Sequence, residues 1–130
     1  MAHTRRHIKR ERAQSRAYSQ AVITEGGRIV WLAGQVAFED AAGKSLAGDF
    51  DGQVREIFRL LGATLAEAGG KLADMVTMTA FITDARLGDR FTELRKEIFG
   101  DNFPASALMT IRALARPEML VEVQGIAVVG

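Results

Sequence analysis

A chain of 130 residues with 17 Lys+Arg against 16 Asp+Glu, a formal charge of +1, is expected to fold as one domain. Its 48% hydrophobic content and 2 prolines argue against disorder, and no apolar run reaches the roughly 18 to 20 residues that cross a bilayer. The lack of cysteine excludes a disulfide scaffold, a thiolate nucleophile and a Cys-ligated metal, which leaves carboxylates, hydroxyls and arginines for chemistry.

In chain order, residues 1–16 hold Arg5, Arg6, Lys9, Arg10, Arg12 and Arg16 against Glu11, a local charge of +5, so the body carries −4. This segment is expected to be a solvated basic N-terminal arm, with residues 17–130 as the single folded domain. It contains both histidines, His3 and His7, where a precisely built His-centred site is badly placed. The segment has no apolar stretch of a secretory signal, so a cytoplasmic location is expected.

The run RIVWLAGQVAF, after the turn Glu25-Gly26-Gly27, predicts a strand buried on both faces at its centre. A small-residue loop follows, in which Asp49 or Asp51 can cap a helix. Val54, Ile57, Phe58, Leu61 and Leu65 then recur at three and four, the pattern of an amphipathic helix stopped by Gly69-Gly70. MVTMTAFIT alternates with a period of two and predicts a strand. A second helix carries Phe91, Leu94 and Ile98 on its apolar stripe and stops near Gly100. Two strand-like runs, ASALMTIRAL and MLVEVQGIAVV, close the chain. Two one-sided helices need a common floor, so the order predicts an α+β fold, a mixed sheet with both helices on one face.

Pairing the last two runs as an antiparallel hairpin places Ser106, Leu108 and Thr110 on one face with Glu122 and Gln124. Glu122, between Val121 and Val123, reads either as a cross-strand polar partner on a wet face or as a carboxylate that holds a water.

The segments AYSQAV (17–22), LAGQVA (32–37), LAEAGGKLADMVTMTAFITD (65–84), FPAS (103–106) and VEVQGIAVV (121–129), in this order, resemble the YjgF family, also called the Rid or reactive intermediate deaminase family. The resemblance implies a chorismate-mutase-like fold, a six-stranded mixed sheet with two helices on one face, assembled as a homotrimer with a small-molecule ligand in clefts between subunits. It implies hydrolysis of enamines and imines such as 2-aminoacrylate without metal or bound cofactor. Glu122 then matches the glutamate that holds the attacking water, Tyr18 the cleft tyrosine and Gly34 the cleft glycine. Ala33 stands where a serine is common, Leu108 where a small thiol or polar residue often lies, and Ser106 where an arginine clamps the substrate carboxylate.

A lost guanidinium removes a bidentate partner, so the substrate is expected to differ from 2-aminoacrylate and the pocket to be less anion-seeking. Arg16, close to Tyr18, is the nearest candidate to replace the clamp, ahead of Arg112. Besides the hydrolase reading stand a trimer that binds a metabolite without turnover and, lowest, RNA binding or cleavage through the basic arm. No membrane partner is expected.

Overall fold

The computed structural model describes residues 3–130. In chain order its elements are β1 (Thr4–Ile8), α1 (Glu11–Ser15), β2 (Ala21–Glu25), β3 (Arg28–Gln35), α2 (Phe50–Glu67), β4 (Met75–Ile82), α3 (Gly88–Phe99), β5 (Ala105–Thr110) and β6 (Val121–Val129), with 3-10 turns at Leu72–Asp74 and Ala85–Leu87. Asp49 is the cap that starts α2, its carboxylate accepting the Gly52 N–H at 3.0 Å. The stripe Val54, Ile57, Phe58, Leu61 and Leu65 is fully buried, and Gly69, at φ 82°, follows the helix end as a glycine stop. On α3 the matching stripe is Phe91 and Leu94, with Gly100 at φ 74° as its stop.

Both stripes pack on one face of a four-stranded mixed sheet in the order β3-β6-β4-β5. From β4 the core takes Met78, Ala80 and Ile82, and from β6 it takes Val121 and Val123. Strands β1 and β2 form a separate antiparallel pair, so the six expected strands divide into four and two.

Three expectations are corrected here. The last two strands do not form a hairpin: β5 runs parallel to β4, and β6 lies on the other side of β4, antiparallel to it. The physical reason is α3, which crosses over the helix face and returns the chain in the parallel sense, while the loop after β5 carries it past β4. The face assignment changes with it. Ser106 pairs with Met78 and Leu108 with Ala80, on the helix side, whereas Glu122 pairs with Phe81 on the opposite, uncovered side. Strand β3 is not buried on both faces: Val30 and Leu32 pack on the core, but Ile29 and Trp31 are 58% and 74% exposed because no helix covers that side.

Among its described residues, the basic N-terminal segment is paired and helical rather than a free arm. Thr4 to Ile8 pair with Glu25 to Ala21, and Arg5 reaches Ala73 O at 2.7 Å, Asp74 Oδ1 at 3.0 Å and Val128 O at 3.0 Å. The Arg5–Asp74 pair is largely buried, so this strand is tied to the turn before β4 and to β6.

Candidate functional site

Two polar clusters arise where one was expected, on opposite faces of the sheet. The first is Glu122 with Gly34. A Cβ built on Gly34 would collide with Glu122 Oε2, so the carboxylate lies directly over the glycine, with Ala33 exposed beside it. The register of β3 against β6 breaks between Leu32 and Gln35, and this irregularity brings Gly34 under the carboxylate. Glu122 itself is half-buried.

The second cluster is a cavity of about 370 Å³ at the outer edge of β5, lined by Tyr18, Ser106 and Leu108 together with Arg12, Arg16 and Arg95. Short helix α1 delivers Arg12, Arg16 and Tyr18 through its C-terminal turn. The Ala17 N–H donates to Gln14 O at 3.1 Å and the Tyr18 N–H to Ala13 O at 3.1 Å, a Schellman closure in which Ala17 takes the left-handed conformation at φ 62°. That reversal turns Tyr18 into the cavity instead of continuing the helix.

Ser106 and Glu122 are separated by two strand spacings, roughly 10 Å, and by a further offset of about 10 Å along the strands. They also point to opposite sides. One chain therefore brings Tyr18, Ser106 and Leu108 together, and Gly34 and Glu122 together, but does not join the two groups.

The residue that the sequence reading missed is Arg95. It is 2% exposed, and its Nη1 donates to Ser106 Oγ at 2.6 Å while Nη2 donates to Arg16 O at 3.1 Å. A guanidinium thus stands against the serine that occupies the clamp position. Arg16 also lines the cavity, yet its own guanidinium pairs with Asp89 at 2.9 Å, and Arg112 is exposed on the loop after β5. Burial, then the nearby Arg16, push the Arg95 guanidinium down to about 10, which leaves it cationic at neutral pH. Beside the expectation of a less anion-seeking pocket stands one observation: α3 sets a guanidinium, that of Arg95, against Ser106. A signal existed in the sequence, since Arg95 stands one turn after Phe91 and before Ile98, a charge on the apolar stripe of its helix.

Among the described residues no group of three or more His, Asp or Glu is placed to hold a metal ion, and no helix is long and apolar enough to cross a membrane.

A mixed sheet with two helices on one face, an uncovered opposite face, and polar clusters at its edge and on that uncovered face defines the class of small α+β proteins to which the sequence segments pointed. The chain belongs to the YjgF/Rid family: the model described as Endoribonuclease L-PSP matches residues 9–129. A RutC family protein of Pyrococcus abyssi is 30% identical over 110 residues, covering 85% of this chain and 84% of that one. The 2-iminobutanoate/2-iminopropanoate deaminase of Homo sapiens is 26% identical over 113 residues, covering 87% and 80%. Among solved structures, the Rid family protein YyfB of Yersinia pestis superposes with a TM-score of 0.81 at 27% identity, covering 96% of this chain and 98% of that chain.

Proposed function

We propose that the protein is a cofactor-independent hydrolase of the Rid type, acting on an enamine or imine in a cleft completed between copies of a homotrimer. The observation that carries this is the placement of Glu122 over Gly34, a position any side chain at residue 34 would disturb. In this reading Glu122 takes a proton from water as the oxygen attacks the imine carbon and passes it to nitrogen, giving a carbinolamine; it then moves the hydroxyl proton to nitrogen as the C–N bond breaks, so that ammonia leaves a carbonyl product. The deaminase name of the human relative supports the reaction type.

A second copy is part of the reading because Glu122 and the Ser106 side face opposite ways in one chain, while Ile29, Trp31 and Met109 stand exposed on the Glu122 face. The substrate is read as differing from 2-aminoacrylate, since the guanidinium beside Ser106 comes from α3 through Arg95, with Arg12 and Arg16 lining the same cavity, and not from β5 itself. The test is ammonia release from a panel of imines generated in situ. Turnover by the native protein that falls at least a hundredfold in Glu122→Gln is the expected result. No acceleration by the native protein, with ligand binding unchanged in the variant, would overturn the hydrolase in favour of a metabolite-binding trimer.

A further inference from the structure

A buried charge is ordinarily matched by an opposite one, and Arg95 is not. Its polar contacts are the Ser106 hydroxyl, the Arg16 carbonyl and, at 3.9 Å, the Met78 sulfur. Its Nε is buried without a hydrogen-bond partner among the described residues, and the ring of Phe91 lies 5.1 Å from the guanidinium carbon. None of the residues lining the adjacent cavity carries a carboxylate, whereas two further guanidiniums, Arg12 and Arg16, line it. Asp89 balances Arg16 from outside, so Arg12 and Arg95 leave a surplus of two positive charges facing the same space.

We propose that this cavity is an anion site for a small organic ligand whose head group carries two negative charges, with Arg95 as its floor and Arg12 and Arg16 at its mouth. Two surplus cations are neutralised by one dianion, and planar guanidinium donors match the oxygens of a phosphate or a dicarboxylate. The hydroxyl of Ser106 orients Arg95 toward the space where an arginine from β5 would otherwise stand. This deepens the hydrolase reading by giving the charge class of its substrate and rests on that reading for turnover alone.

The test is calorimetric titration of the full chain with inorganic phosphate, succinate and acetate at constant ionic strength. Phosphate and succinate are expected to bind at least tenfold more tightly than acetate; the ratio between the first two distinguishes a phosphoryl head from a pair of carboxylates. Arg95→Met is expected to weaken phosphate binding tenfold or more without lowering Tm, since an apolar chain replaces an unpaired buried charge, and a purely structural arginine would show the reverse. Arg12→Gln changes an exposed side chain, so it decides the matter if Arg95→Met does not fold; a threefold or greater loss is expected. Arg112→Gln, outside the cavity, leaves binding unchanged. Equal affinity for phosphate and acetate, or phosphate binding indifferent to Arg12→Gln, would overturn the site. Intact dianion binding without ammonia release would retain the site and remove the hydrolase.

Discussion

At Gly34 the missing side chain is what lets Glu122 lie where it does. The obstacle a methyl group would meet is the tip of a flexible carboxylate, so the fold can give way cheaply while the carboxylate cannot stay. Gly34→Ala is expected to change stability by no more than about 1 kcal/mol, the usual scale for an exposed site. The same variant is expected to lower kcat/KM for ammonia release at least tenfold, and parallel urea denaturation and kinetics separate the two. His7 offers a second check at this scale. Burial, then Arg5 and Lys9, hold its imidazole below the ordinary value of 6.5, against weaker opposition from Asp101 and the Asn102 backbone. The folded state therefore binds the proton less well than the unfolded chain, so the stability contribution is complete above about pH 6.5 and is lost as pH falls below it. His7→Gln is expected to flatten this part of a plot of urea midpoint against pH. It should leave unchanged the further loss at lower pH, where Asp51, held down by Arg90, and Asp84, held down by Arg86, become protonated.

Helix α2 carries a tie that its own periodicity does not announce. Gln53 is buried, its Nε2 donates to Leu46 O at 2.8 Å and Glu118 O at 2.9 Å, and its Oε1 accepts the Leu120 N–H at 2.9 Å. One amide thus holds the loop before α2 and the loop before β6, the connection that lets the chain pass β4. Gln53→Leu keeps the size but strands three backbone groups, and an expected loss of about 3 kcal/mol follows from the cost of such groups. Equilibrium urea unfolding measures it, and a loss under 1 kcal/mol would show that water reaches those groups. The contrast explains what the sequence could disclose. The stripes of α2 and α3 and the alternation of β4 are local, set by side chains a turn or a pleat apart, and were legible. Whether β5 joins β4 or β6 depends on a crossover and a loop, not on either strand's pattern, so the hairpin reading put Ser106 and Glu122 on one face. Glu122 stood out as an acid in an apolar tract. Arg95 was overlooked because its partners, Ser106 and the Arg16 carbonyl, lie 11 and 79 positions away.

The whole molecule has one helix-covered sheet face and one uncovered face on which β3 and β5 expose Trp31 at 74%, Ile29 at 58% and Met109 at 47%, beside Thr79, Glu122 and Gln124. Burying an indole removes about 150 to 250 Å² from water, on the order of 4 kcal/mol at roughly 25 cal/mol/Å². A neighbouring copy that covers this face would therefore gain much of its association energy at the same surface on which Glu122 stands, coupling assembly to activity. Trp31→Glu separates the two consequences from folding, because the side chain contributes little to the core of its own chain. The expected outcome is a folded monomer by sedimentation equilibrium with native far-ultraviolet circular dichroism and ammonia release reduced at least tenfold, against a native protein that sediments as a trimer. Full activity in a monomeric variant would place the reaction within one chain and remove any need for a second copy. A native protein that is itself monomeric would do the same to the trimer, and the Glu122 face would then have to work uncovered.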